Sequence, residues 1–353
     1  MTFTAAILVG PTAVGKSDVA QFIAEQDGLS VISADSMLVY RGMDIGTAKP
    51  TAAERGTVPY FGIDCVDAGQ PFSTGDWLSS LRRDLAVTPS RQEFVVAGGT
   101  GLYVKALLSG LDAGASDPEA RARWTALYET GGLEALQKAL ADHPEARALL
   151  PESDFANPRR LIRALERAEA GETERGNWSE AAPLRPVAGL FMDRAALNSR
   201  IARRIRKMFK CGLVEEAVAV RAECLKVYPS PLNPASHPST LNPASHPSTL
   251  NPAPQPSTLN PQPSTLACGL SSTACGAIGY AEALAVADGK MTQDEAFEQI
   301  AVRTRHLAKR QFTWFRHQLP VEWVEVQDGD SPEKIAPLVR EVWKKHGKHI
   351  VTV

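Results

Sequence analysis

Residues 10–17 read Gly-Pro-Thr-Ala-Val-Gly-Lys-Ser, and this segment restricts the possible folds more than any other. A short apolar run, Ala5–Val9, precedes it, and a helical pattern carrying Val19, Phe22 and Ile23 follows. The string fits G-x-x-x-x-G-K-[ST], the P-loop, which works only between a strand and a helix. Backbone N–H groups along Gly10, Thr12, Ala13, Val14 and Gly15 can curl around phosphate oxygens, and the helix N-terminus adds a favourable dipole. Lys16 neutralises phosphate charge, and Ser17 offers a hydroxyl to Mg²⁺. The match is specific for polyphosphate binding and weak for reaction type.

Further strand-like runs lie at Leu29–Ser33, Tyr60–Val66, Phe94–Ala97 and Val187–Met192, with helical patterns between several of them. Ser73-Thr74-Gly75-Asp76 reads as a capping box ahead of Trp77, Leu78, Leu81 and Leu85. Strands alternating with helices indicate βαβ units and a parallel sheet. From Asp117 to Gly171 no strand pattern interrupts the helical one. The expected organisation is therefore an α/β core over 1–115 and 172–353, with a helical insertion over 116–171. A second helical block covers Arg194–Val227 and resumes at Ile278–Phe315, with a capping box at Thr292–Glu295. A strand at Val321–Val326 and a terminal helix close the chain.

Residues 229–266 are of another kind. NPASHPSTL occurs twice in tandem, and NPAPQPSTL and NPQPSTL follow. The segment holds 11 of the 25 prolines and no Asp, Glu, Lys or Arg. Proline at this density denies helix and sheet, and one leucine per repeat builds no core. A disordered, low-complexity insert is expected, tolerated in a surface loop because doubling a loop's length costs only about 0.6 kcal/mol.

The chain has 353 residues, 44% of them apolar, enough to bury a substantial core, and its net charge of −2 says little about partners. No run reaches the roughly 18 apolar residues of a membrane span, and no secretory signal is evident. The five cysteines form no CxxC pair and read as free thiols of a reducing compartment.

Local chemistry is more informative. The second strand runs out at Ser33-Ala34-Asp35-Ser36, and ligands of open parallel sheets sit beyond the carboxyl ends of strands. Asp35 should therefore point into the P-loop crevice, although a turn aspartate is the ordinary alternative. Gly98-Gly99-Thr100-Gly101 ends another central run, so the Thr100 hydroxyl could reach a phosphate or cap the next helix. Basic clusters occur at Arg194–Lys210, at Arg303–His317 and at Arg159, Arg160 and Arg163. Three such clusters suggest a phosphodiester partner or a polyphosphate clamp. Phe312, Trp314 and Phe315, interleaved with the second, are expected in the core.

With Asp35–Pro50, DSMLVYRGMDIGTAKP, the chain resembles the tRNA dimethylallyltransferases, also called tRNA isopentenyltransferases. The resemblance extends through GGTGLY at 98–103, DPEARAR at 117–123, NPRRLIRALE at 157–166, AIGY at 277–280 and RTRHLAKRQFTWFR at 303–316. It implies a P-loop NTPase-like parallel sheet flanked by helices, with an inserted all-helical tRNA-binding domain. It also implies transfer of a dimethylallyl group from its diphosphate to N6 of the adenosine 3′ of the tRNA anticodon, releasing diphosphate. By the same resemblance Asp35 is the base, and Lys16, Mg²⁺ near Ser17, Thr100, Arg200 and Arg204 answer charge on the diphosphate. Contacts to the tRNA anticodon stem-loop fall to Asp35, Ser36, Met37, Leu38, Arg121, Arg159, Arg160 and Arg163. Gly276, Ala277, Ile278, Gly279 and Tyr280 join them. A cytoplasmic monomer without membrane attachment is expected.

Ala281 departs from the pattern, since many relatives carry a basic residue there, and the repeat enters just before AIGY. His346 and His349 lack a cysteine pair, so no structural zinc is expected. The alternative is an adenylate isopentenyltransferase acting on free AMP, ADP or ATP. The helical insertion argues against it, because a mononucleotide needs no stem grip. A small-molecule kinase would want an arginine-rich lid that is not evident. An RNA-binding module with a dead P-loop conflicts with the intact Lys16, Ser17, Asp35 and Thr100.

Overall fold

In the computed structural model, which describes residues 2–88, 93–110, 117–172, 184–227, 270–271 and 273–353, the opening apolar run is strand β1 (Thr2–Val9). After it come α1 (Lys16–Asp27), β2 (Ser30–Ser33), β3 (Tyr40–Arg41), α2 (Ala52–Arg55), β4 (Tyr60–Phe61) and β5 (Val66–Asp67). Then follow α3 (Thr74–Ala86), β6 (Glu93–Gly98) and α4 (Gly101–Ser109). The helical stretch supplies α5 (Pro118–Asp142), α6 (Pro144–Ala148) and α7 (Pro158–Glu169). The rest comprises β7 (Val187–Phe191), α8 (Arg194–Lys210), α9 (Leu213–Val227), α10 (Tyr280–Ala287), α11 (Gln293–Gln318), β8 (Val321–Glu325), α12 (Pro332–His346) and β9 (His349–Thr352). The repeat at 229–266 lies outside the described residues. No helix among them is long and apolar enough to cross a membrane.

The chain divides into two compact units, Met1–Val104 with Arg185–Val351, and Lys105–Leu184 with Thr352–Val353. The first is built on a sheet of order β4-β2-β6-β1-β7-β8, with β9 also paired to β1. Every pairing along that path is parallel. Ala5, Ile7, Leu8 and Val9 are fully buried, as expected of a central strand covered on both faces. Helix α1 buries Val19, Ala20, Ile23 and Ala24 and ends at Gly28 in the left-handed region. The Trp77-to-Leu85 stripe of α3 is buried behind its Ser73–Asp76 capping box. The Trp343 indole donates to the Ile7 carbonyl at 2.9 Å and ties α12 to the central strand.

Three expectations fail locally. The terminal helix does not close the chain, because β9 follows α12 and pairs with β1. Tyr60–Val66 is not one strand, because Gly62 at φ 74° and Asp64 at φ 52° turn the backbone between β4 and β5. β4 stays in the main sheet, and β5 pairs with β3 in a separate two-stranded sheet. Cys65, Cys211 and Cys224 are free thiols, but Cys275 is disulfide-bonded. A disulfide needs only proximity in space, so the lack of a CxxC motif could not exclude it.

In the second unit α5 starts at the Asp117 cap, kinks at Gly132, and packs with α6 and α7 around Leu136, Leu140, Leu149, Leu161 and Leu165. Glu166 is fully buried there. Its carboxylate accepts from Arg121, from Arg163 and from the Asp117 N–H at 2.9 Å. Burial pushes the Glu166 pKa up, but these donors outweigh it and hold it below the usual carboxylate value.

Candidate active site

Strand register brings the sequence motifs to one edge. Val9 pairs with Gly98 across β1 and β6, and Ser33 pairs with Ala97 across β2 and β6. The carboxyl ends of three adjacent strands therefore open onto one rim, with Gly10 after β1, Asp35 after β2 and Thr100 after β6. The rim is tightly closed. A Cβ on Gly98 would lie 2.1 Å from the Ala34 carbonyl oxygen, so only glycine lets β6 pass the turn before Asp35.

The turn itself is hydrogen-bonded on every side. The Thr100 N–H donates to the Ala34 carbonyl at 3.1 Å. The Thr100 hydroxyl accepts the Ser36 N–H at 2.9 Å and donates to the Ser36 hydroxyl at 3.2 Å. Asp35 Oδ1 accepts the Met37 N–H at 2.9 Å, which orients the carboxylate. Ser36 and Met37 are half-buried, whereas Leu38 is buried at the turn's end.

The P-loop carries left-handed backbone at Ala13 and Gly15, with Val14 fully buried beneath it. Lys16 is only 9% exposed, and its ammonium donates to the Pro11 carbonyl at 2.6 Å. Burial lowers its pKa to about 8; the Asp35 charge opposes that shift and Arg204 adds to it. Ser17 is exposed on the first turn of α1.

Arg200 and Arg204 project from α8 one turn apart, beside the Leu197, Ile201, Ile205 and Met208 positions that α8 buries. The Arg200 guanidinium is 3.4 Å from where a Cβ on Gly15 would stand. Arg204 donates to the Thr47 carbonyl at 2.9 Å and to the Thr12 hydroxyl at 3.4 Å. Burial pulls its pKa down, against the attraction of Asp35 and Asp18. One carboxylate, one ammonium and one guanidinium thus share a field at the mouth of the loop.

Gln311 on α11 was not singled out by sequence, although it sits within the 303–316 motif. Its carbonyl accepts the Thr12 N–H at 2.8 Å, and its amide closes against Gly99. Of the three aromatics expected in the core, Phe315 is fully buried, but Phe312 and Trp314 are only half-buried, Phe312 packing on half-buried Trp323 at 4.8 Å.

The expected tRNA contacts fall into two classes. Arg159 is exposed, with no ion pair among the described residues, whereas Arg160 pairs with Asp154, and Arg121 and Arg163 hold Glu166. Gly276 and Ile278 are half-exposed, but Ala277, Gly279 and Tyr280 are buried. The Tyr280 side chain therefore presents no surface to a partner; it faces inward because its ring fills the space beside Gly46.

A family model described as IPP transferase matches residues 38–238 and 258–318. A tRNA dimethylallyltransferase of Kineococcus radiotolerans is 34% identical over 347 residues, 95% of each chain. The full-length tRNA isopentenylpyrophosphate transferase of Bacillus halodurans superposes with a TM-score of 0.56 at 30% identity, over 97% of this chain and 96% of that one. A eukaryotic dimethylallyltransferase acting on tRNA has a similar fold, with a TM-score of 0.61 at 16% identity over 97% of this chain and 76% of its own.

Proposed function

This chain belongs to the IPP transferase family, and on that premise we propose that it transfers a dimethylallyl group from dimethylallyl diphosphate to N6 of the adenosine 3′ of a tRNA anticodon. The observation that carries the reading is the placing of Asp35 on the same rim as Lys16 and Arg204, close enough to pull on the charge of both. The adenine amine is a poor nucleophile because its lone pair is delocalised into the ring. As N6 bonds to C1 of the dimethylallyl group, the C1–O bond breaks and diphosphate leaves with the electron pair. Asp35 takes the proton that N6 loses. Lys16, Arg200 and Arg204 answer the charge gathering on the leaving group. Thr100 holds the Asp35 turn through Ser36.

Magnesium suits this donor set. Ser17 is the hydroxyl that would hold it, and no group of three or more His, Cys, Asp or Glu among the described residues forms a separate cage. Such a set fits an ion bound mainly by diphosphate oxygens and water. Bound there, it would draw negative charge from the departing group.

The adenine must leave its stack to meet Asp35, and the anticodon stem is gripped by the arginines of the helical unit. A monomer acting in the cytoplasm completes the reading. Mass analysis of nucleosides from tRNA incubated with the enzyme and the prenyl diphosphate tests it. Prenylated adenosine next to the anticodon is expected, and prenylation of AMP alone would overturn it.

The two classes of arginine give separable results. Arg159→Ala lowers tRNA affinity and the slope of its salt dependence, with melting unchanged. Arg121→Ala also melts the helical unit early, by about 2 kcal/mol, because it strips donors from buried Glu166. Calorimetry alongside filter binding reads both.

A further inference from the structure

Glu216, on α9, lies outside the phosphate cradle, yet its carboxylate organises a loop that reaches it. Oε2 accepts the N–H groups of Asp44 at 3.0 Å and Ile45 at 2.7 Å. Oε1 accepts the Gly46 N–H at 3.0 Å and the Tyr280 hydroxyl at 2.5 Å. Three successive backbone donors thus converge on one anion, an arrangement that fixes their conformation. Tyr280 is fully buried, and its ring stands 2.5 Å from where a Cβ on Gly46 would be. Burial and the adjacent Glu216 charge push its phenol pKa up, so it remains a neutral donor.

The far side of the loop is pinned as well. The buried Lys49 ammonium donates to the Tyr40 carbonyl at 2.7 Å, to Asp44 at 2.7 Å and to Asp64 at 2.6 Å. Between these anchors lies Thr47, whose carbonyl receives the Arg204 guanidinium. Arg204 is itself half-buried and has no carboxylate in hydrogen-bond contact among the described residues, so that carbonyl is its strongest tether.

We propose that Glu216 is a positioning residue for the reaction: through residues 44–47 it sets the carbonyl that holds Arg204 over the P-loop, and so governs the grip on diphosphate. The inference rests on the reading above, which gives Arg204 the diphosphate, and its test reads diphosphate binding apart from prenyl transfer.

The test is a double-mutant cycle of Glu216→Gln with Arg204→Ala, read by calorimetric binding of inorganic diphosphate, by tRNA binding and by prenyl transfer. Glutamine keeps the size of the side chain but turns an NH₂ toward backbone donors. Glu216→Gln alone should weaken diphosphate binding about tenfold, the order set by one hydrogen bond to a charged group. It should also lower kcat, with tRNA affinity unchanged within about twofold. In the Arg204→Ala background it should add less than about twofold. Equal factors in both backgrounds, or tRNA affinity falling in step with diphosphate affinity, would overturn the proposal. If Glu216→Gln fails to fold, Tyr280→Phe removes a single donor and keeps the packing. A smaller loss in the same direction, again absent without Arg204, supports the assignment, and no loss refutes it. Diphosphate binding needs no prenyl transfer, so this outcome is separate from any failure of the proposed reaction.

Discussion

Asp35→Asn lowers the rate of prenyl transfer by about a thousandfold, the size expected when a positioned general base is removed, while tRNA still binds. Asparagine can accept the Met37 N–H as Asp35 Oδ1 does, so the turn keeps its shape. What it cannot do is take a proton from N6. Losing its negative charge removes a repulsion to diphosphate but also a charge that keeps Lys16 protonated, so the comparison is made well below pH 8, where Lys16 stays a cation. The defect should therefore appear in the chemical step and not in donor binding. Single-turnover incorporation of a labelled prenyl group, with enzyme in excess over tRNA, isolates that step. A rate within about tenfold of wild type would remove Asp35 from the role of base.

Diphosphate affinity falls as pH rises through about 8, and Lys16 is the reason. Its pKa is lowered to about 8, chiefly by burial, so the side chain is a cation below that pH and neutral above it. Measured relative to Lys16→Met, which shares the ligand's own ionisation, binding to the free enzyme should be flat on the acid side, then weaken by up to about tenfold per pH unit on the alkaline side. A bound anion stabilises the ammonium and raises its pKa. The profile of kcat/KM should consequently break near pH 8 and that of kcat at higher pH. Lys16→Met should bind diphosphate about a hundredfold more weakly, as expected for a lost charge-assisted contact, and should show no break near 8. Titration calorimetry between pH 7 and about 9.5 measures both. A break that persists in the Met variant would assign the titration to another group.

The same rim contains parts that were legible in advance and parts that were not. The P-loop, the Asp35 turn and the Thr100 loop could be read because each is a short string following an apolar strand. Once strands are parallel and adjacent, their carboxyl ends must share an edge. Gln311 could not be read this way, since it meets Thr12 across a sequence separation of 299 residues. Glu216 is one of two adjacent glutamates in an amphipathic helix, and nothing local marks it as the one that gathers three backbone donors. Tyr280 looked like a contact to a partner, and only packing against Gly46 shows it turned inward.

By itself the sequence determined the alternation of strands and helices in the core, the helix starts at Ser73 and Thr292, and the strand–loop–helix setting of residues 10–17. Each depends on residues a few positions apart, where backbone geometry and capping act. Tertiary structure alone decided which arginines neutralise Glu166 and which, like Arg159, have no ion pair among the described residues. It also split Tyr60–Val66 between two sheets, joined Cys275 in a disulfide, and tethered Arg204 to Thr47. These outcomes depend on burial and on partners distant in the chain. A charge or a donor acquires its role from the group that satisfies it in the folded state.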